Sequence, residues 1–397
     1  MRHKPFRGKH LQMPRFATCI LARNAAGALA AAIESVQPLG GSIWFGDLGS
    51  EDASATLATS AGAQVVRIPW QEDFAAARNS LVTKALTDGV EWVLWLNASE
   101  RLLPESVRPL TEVIARPEAA AAWVRIRNQY PGGATMTSGD IRLWRRHPAL
   151  SFVGRLHPHL HPQFKEAIAR DGRAVLHSDA VLLNIDPHHG ESLGETQHLA
   201  RLRFNARLLE LELRDRPGQL HYQIQFGRVL LELGDSARGH EAMRQAAREV
   251  AMTASSPTAP AASVQDLLSY LVRSTQSVPG HESIPRPQAA ELAIRWFPKS
   301  PALLSVVAEA FFAVGQYQAS AAILEQLLHL GKTGHYDPSS VFDPGLLGDD
   351  ARINLAACYR RLGRTSDAAT LYRRLLTSPH YAAQARGALT DLGEPSN

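Results

Sequence analysis

The sequence predicts two folded domains: an α/β domain built on a mainly parallel sheet, then an all-α domain of helical repeats. Three observations carry this. Short apolar runs alternate with helical patterns through about residue 190; from Thr196 long amphipathic helices take over; and helix pairs then recur around glycine-polar turns. A chain of 397 residues with 45% hydrophobic content is long enough for two packed cores.

Phe16 to Leu21 is a short apolar run closed by the polar turn Arg23-Asn24, as a first buried strand would be. Leu29, Ile33 and Val36 then step at helical spacing among alanines until Pro38 and Gly40-Gly41. Ser42 to Phe45 forms a second strand. Its following loop, Gly46 to Asp52, has glycines for a tight turn, and Ser50 or Asp52 can cap the alanine-rich helix that comes next. Val65, Val66 and Ile68 make a third strand. A helix from about Glu72 to Ala85, with Phe74, Ala77, Leu81 and Ala85 on one side, leads to the strand at Trp92. That strand stops abruptly at Asn97-Ala98-Ser99-Glu100. In open α/β sheets ligands bind beyond the carboxyl ends of the strands, so this stretch and the loop at Asp47 to Asp52 are the expected site. The spacing fits neither a dinucleotide-binding glycine turn nor a P-loop.

The charge balance, 42 basic against 38 acidic residues, calls for no nucleic-acid or membrane partner. Residues 1–14 read as a flexible basic tail, 15–190 as the α/β domain, and 195–397 as the helical domain with an insertion near 251–265. Cys19 and Cys358, far apart in apolar segments, read as core residues in a reducing compartment. No signal-peptide layout and no apolar run of membrane-spanning length occur, and a soluble, cytoplasmic protein is expected.

The motifs occur in an order that resembles the nucleotide-binding half of family 2 glycosyltransferases with the GT-A fold. They resemble especially bacterial members followed by tetratricopeptide repeats, such as the sublancin S-glycosyltransferase group. The residues concerned are Arg23-Asn24; Asp47, Gly49, Ser50 and Asp52; Pro69-Trp70; Asp73-Phe74-Ala75-Ala76-Ala77-Arg78-Asn79; Arg142 to Arg145; and Gly154 to His157. The resemblance spans roughly residues 16–190. It implies transfer of a sugar from a nucleoside diphosphate sugar, a UDP-sugar being the expected donor, to a peptide, protein or glycan acceptor. Asp47 would then accept hydrogen bonds from the base, with Ser50 and Asp52 on the ribose side, and Arg78 would face the nucleotide or lock these carboxylates. Asn97 and Arg155 would join the donor site.

Family members usually carry Asp-Ala-Asp-Glu after the fourth strand, holding a Mg2+ or Mn2+ ion. Here the positions read Asn97, Ala98, Ser99 and Glu100, which leaves Glu100 as the one anionic metal ligand. Either arginines neutralise the diphosphate instead, with Arg142, Arg145, Arg146 and Arg155 as candidates, or the protein is a catalytically inactive nucleotide-sugar-binding or scaffold protein. The family's acidic residue after the histidine is Pro158 here, so His157 or Asp140 are the candidate bases. His157, His159 and His161 alternate as on one strand face, and His188-His189 lie close to Asp186. Pro158 and Pro162 interrupt the strand, and no acid or cysteine completes a zinc spacing.

In the second half, Leu355, Ala356, Tyr359, Gly363, Ala368, Tyr372 and Leu375 fall at the packing positions of a tetratricopeptide unit. The sets at Phe226 to Ala246 and Val307 to Leu327 repeat that spacing. Such an array presents a face to a partner peptide or protein, packs on the first domain, or forms a homodimer. Its loop at His335 to Asp350 is rich in Gly, Pro and Asp.

Overall fold

The computed structural model describes residues 15–86, 89–130, 133–185, 194–253, 261–273, 284–337 and 339–394. The basic tail at 1–14, Asp186 and His188-His189 lie outside them. By contact the chain divides into one unit of residues 1–126 and 140–186 and another of 127–139 and 187–397.

The first unit carries a mixed eight-stranded sheet. Its leading strands are β1 (Phe16–Ala22), β2 (Ser42–Asp47), β3 (Gln64–Arg67) and β4 (Trp92–Leu96). They lie in the order β3-β2-β1-β4 and all pair in parallel. Helices α1 (Ala26–Val36), α2 (Ser54–Ser60) and α3 (Phe74–Ala85) make the connections. These match the alternation in the sequence. Along β4, Trp92, Leu94 and Leu96 enter one core with Leu29 and Ile33 of α1. Val93 and Trp95 enter a second core with Leu81 and Val82 of α3. A strand covered on both faces must be apolar at every position, which explains the unbroken run in β4.

Beyond β4 the sheet is extended by strands that the alternation does not foresee. These are β5 (Glu100–Leu102), β6 (Ala119–Gln129), β7 (Thr135–Arg145) and, past the two-residue strands β8 (Phe152–Val153) and β9 (His159–Leu160), β10 (Ala174–Asn184). β7 pairs with β4, and β10 with β5, antiparallel. Helices α4 (Val107–Ile114) and α5 (Pro162–Arg170) cover this half, α4 contributing Leu110 to the first core and α5 Phe164 to the second. Gly46 in β2 lies under α3. A Cβ there would meet Leu21 Cδ1 at 2.7 Å and Leu81 Cδ2 at 3.0 Å, so the close seat of α3 depends on glycine.

The second unit holds α6 (Glu195–Asp215), α7 (Leu220–Glu232), α8 (Ser236–Ala251), α9 (Ala261–Arg273), α10 (Arg286–Trp296), α11 (Pro301–Ala313), α12 (Tyr317–Thr333), α13 (Asp349–Arg361), α14 (Thr365–Leu375) and α15 (Ala382–Asp391). Gly234, Gly315 and Gly363 take positive φ between paired helices, as their turn positions predict. At Gly227 a Cβ would fall 2.9 Å from Met243 Cγ and 3.2 Å from the Gly239 carbonyl, so α7 and α8 approach through that small residue. The insertion expected near 251–265 is narrower than the composition suggests. Residues 254–260 lie outside the description, but Ala261–Gln265 begin α9, because Val264, Leu267, Leu268 and Leu271 supply a buried stripe. Thr137 forms an antiparallel bridge with Phe342 in this unit.

Tyr359 donates to Glu325 at 2.6 Å and Tyr381 to Asp350 at 2.8 Å. Burial first, and the carboxylate partner second, push both phenols from 10.0 to about 12. The folded state therefore favours the neutral phenol. This contribution is whole below pH 10 and fades as the pH climbs towards 12. The denaturation midpoint is expected to fall over that interval, and Tyr359→Phe to fall less, as followed by circular dichroism.

Candidate functional site

Both loops singled out in the sequence sit at one edge of the sheet. β1 lies between β2 and β4, with Ala22 level with Asp47 and Ile20 level with Leu96. The Asp47 and Asn97 loops therefore flank the end of β1, two strand spacings or about 10 Å apart. Because β7 returns antiparallel with Leu94 opposite Leu143, continuing the register places Arg142 beside Trp95 and Asp140 beside Asn97. The same register carries Arg145, opposite Trp92, to the far end of β4. Arg146 donates to the Leu86 carbonyl there. These two arginines are removed from the candidate site by a full strand length.

The β2–α2 loop is knitted to the β1–α1 loop. Asp47, only 5% exposed, accepts from Ser50 N through Oδ1 at 2.8 Å. Ser50 Oγ accepts from Asn24 N at 2.9 Å, and Asn24 Oδ1 accepts from Glu51 N at 2.8 Å. Asp52 Oδ2 accepts from Ala26 N at 3.0 Å and Ser54 Oγ from Ala25 N at 2.8 Å. Asp52 thus serves two helix starts: Oδ2 reaches α1 across the loop, and Oδ1 accepts from Ser54 N, the first residue of α2, at 3.0 Å. α2 starts without a side-chain cap at Ala53. The Ser54 hydroxyl, then the Ala26 N–H, holds the Asp52 carboxyl below its ordinary value.

Around Arg78 the second face of the sheet closes. Asp73 caps α3 by accepting from Ala76 N. Asn79 grips β8 twice, donating to the Phe152 carbonyl and accepting from Phe152 N, both at 2.9 Å. The half-buried Arg78 guanidinium lies 4.1 Å from the Trp95 ring centroid and 4.9 Å from that of Phe152, and donates to the Pro158 carbonyl at 3.4 Å. Burial, followed by repulsion from Arg142, pulls it down to about 9, so it stays cationic at neutral pH. Arg155 braces the loop before α3, since its Nη1 donates to the Glu72 carbonyl at 3.2 Å and its own carbonyl accepts from Phe74 N at 2.9 Å. Glu72, at φ +55°, is held there against its backbone preference.

Glu100 is 1% exposed and accepts hydrogen bonds through both oxygens. Its Oε2 accepts from Asn97 N at 2.8 Å, and its Oε1 from Asn97 Nδ2 at 2.9 Å and Arg142 Nη2 at 3.0 Å. Asn97 Oδ1 in turn accepts from the Trp95 indole at 3.1 Å. Arg142, 6% exposed, also has Nε 3.2 Å from Asp140 Oδ2, too poorly aligned for a hydrogen bond. Asp140 is half exposed, its Oδ1 accepting from Ile141 N at 2.8 Å. Both Glu100 oxygens accept hydrogen bonds and the side chain is 1% exposed, and among the described residues no three His, Cys, Asp or Glu side chains gather to hold a metal ion. The residues do not fit the divalent cation that the resemblance implies.

The histidines do not share a strand face. His157 is exposed at φ +48°, His159 is in β9, and His161 caps α5 by accepting from Gln163 N. Pro158 and Pro162 break the extended run, as proline does. A cavity of about 350 Å³, lined by residues including Phe16, Ser42, Trp44 and Gln64, opens at the amino edge of the strands and holds none of the candidate residues. Trp95, Phe152 and Asn79 are the parts of the site whose place the sequence did not reveal. The one available signal was Trp95, an aromatic one residue from the end of a buried strand.

Residues 18–168 match the family model described as Glycosyl transferase family 2. A TPR repeat-containing protein of Synechococcus elongatus is 32% identical over 145 residues, covering 36% of this chain and 35% of its own length. The chain thus spans about a third of that curated relative. Among solved structures, mannosyl-3-phosphoglycerate synthase from Rubrobacter xylanophilus is 16% identical, covering 51% of this chain and 75% of its own, with TM-score 0.31, and the MamA protein has TM-score 0.32. MamA is 10% identical and covers 48% of this chain and 89% of its own. The match to the glycosyltransferase family thus falls on the unit that carries the Asp47 and Asn97 loops, and the chain continues beyond it into paired helices.

Proposed function

We propose that the sheet unit is a glycosyltransferase that takes a sugar from a nucleoside diphosphate sugar and passes it to a hydroxyl or thiol of a peptide, protein or glycan. One observation carries the reading. A segment matching family 2 brings a nearly buried carboxylate, Asp47, and the Asn97 loop to the same carboxyl edge of three parallel strands. Ser50 already holds Asp47 Oδ1, which fixes the carboxylate for a nucleotide base to donate to Oδ2. Ser50 and Asp52 then act as braces that keep the loop in shape for the ribose, and Arg155 does the same for the loop before α3.

In the transfer step the acceptor oxygen or sulfur attacks the anomeric carbon. The bond from that carbon to the β-phosphate oxygen breaks, and its electron pair leaves with the diphosphate. The acceptor proton passes to a base. We assign that role to Asp140, with His157 as the alternative; the half-exposed carboxylate of Asp140 and its register position level with Asn97 support the reading. The helical unit is assigned to holding the acceptor or its carrier protein.

Asp47→Ala is expected to weaken binding of UDP-sugars by about 10- to 100-fold in calorimetry. Asp47→Asn keeps the Ser50 bond and should lose less. Equal binding by wild type and Asp47→Ala would refute the assignment.

A further inference from the structure

We propose that Arg142, with Arg78 beside it, is a built-in cation for the donor diphosphate, so that this site binds its nucleotide without a metal ion. The proposal rests on the nucleotide-sugar reading of the same site and concerns how the phosphates are held. It begins from a mismatch. The residues at the place of the expected metal ligands, Asn97 and Glu100, already bond each other, Trp95 and Arg142, and Glu100 is 1% exposed, so a single buried carboxylate with its charge matched by an arginine stands where a cation needs several anionic oxygens.

Arg142 supplies what the lost ligands do not. It is 6% exposed, and its Nη1 is buried with no hydrogen-bond partner. Arg78 Nε is buried and unpartnered in the same way. A buried guanidinium N–H without an acceptor is costly, and it is explained when an anion is the acceptor. Aromatic rings hold Arg78 from Trp95 and Phe152, and Glu100 holds Arg142 through Nη2, so both forks are fixed in advance of the ligand. The charges also balance. A divalent cation with two carboxylates sums to zero, as do Arg78 and Arg142 with Glu100 and Asp140.

The other positive groups at this edge are either bonded or stand on the Asp47 side of it, where Arg67 is level with Asp47 and Arg23 pairs with Glu51. The start of α1 is bonded to Asp52 and Ser54, and that of α3 to Asp73. Arg145 and Arg146 are at the opposite edge, and Arg155 serves the loop carbonyl at Glu72. Arg78 and Arg142 are left as the pair placed beside Trp95 and Asn97.

The test uses the full chain with UDP and GDP as probes and uridine and guanosine as controls lacking the diphosphate. Calorimetry of the wild type in EDTA and in Mn2+ is expected to give diphosphate affinities equal within about twofold. Arg142→Lys keeps the charge and loses the fork. It is expected to weaken the preferred nucleoside diphosphate by about 10- to 100-fold and its nucleoside by less than about threefold. Circular dichroism checks that the variant folds, and the metal comparison on the wild type needs no variant. Diphosphate binding that requires Mn2+, or a folded Arg142→Lys that binds as the wild type does, overturns the built-in cation and leaves the nucleotide site standing. A wild type that binds neither diphosphates nor nucleosides removes the site reading itself, and this proposal with it.

Discussion

Glu100→Ala is expected to destabilise the sheet unit by about 3–5 kcal/mol, because it leaves the Arg142 guanidinium buried without its counter-ion. The cost arises on two sides. Asn97 N and Nδ2 lose the oxygens they donate to, and Arg142, 6% exposed, keeps its charge in a site that water barely reaches. Glu100→Gln should recover little. Each carboxylate oxygen faces donors, so the NH2 group of glutamine meets another N–H whichever way it turns. The double variant Glu100→Ala/Arg142→Met removes both charges and is expected to regain about half of the loss or more. Urea titration followed by tryptophan fluorescence reads all three. A single variant as stable as the wild type would show that the pair does not hold this loop.

A comparable loss, about 2–4 kcal/mol, is expected for Gln265→Leu in the helical unit. Gln265 Oε1 accepts from the Ser300 and Ser340 hydroxyls, and its Nε2 donates to Asp337 Oδ2 at 2.8 Å. Leucine matches the volume and bonds none of them. The two serines keep each other at 3.0 Å, but the Asp337 carboxylate loses its donor from α9. Thermal melts give the stability, and hydrogen exchange at Ser340 N, which donates to the Asp337 carbonyl, reports whether the loop loosens first. Unchanged exchange and melting would mean that the network adds nothing.

That loop shows where composition misleads. Residues 335–350 are rich in Gly, Pro and Asp, which reads as a connection of no fixed shape. Yet Asp337 bonds Gln265 of α9 and Ser340 bonds Ser300 at the cap of α11, Phe342 is buried, and Leu347 lies so close to Gly331 of α12 that a Cβ there would sit 2.3 Å from its carbonyl oxygen. Partners dozens of residues away decide this, and no local pattern carries them. The histidines fail in the other direction. Alternation of His157, His159 and His161 suggests one strand face, but prolines at 158 and 162 and the positive φ of His157 turn each ring to a different setting.

The sequence by itself determined the succession of β1 to β4 with their helices, the switch to paired helices, and the two loops at which ligands are to be sought. Hydrophobic period, glycine turns and the location of polar residues at strand ends are local properties, and a single chain displays them directly. Tertiary structure decided which charges meet. The antiparallel return of β7 brings Arg142 and Asp140 to the end of β4 and sends Arg145 and Arg146 away from it, a difference of a few residues in register. Pairing between distant strands fixes that register, so Glu100, free on paper to bind a cation, is instead closed by Asn97 and an arginine 42 positions later.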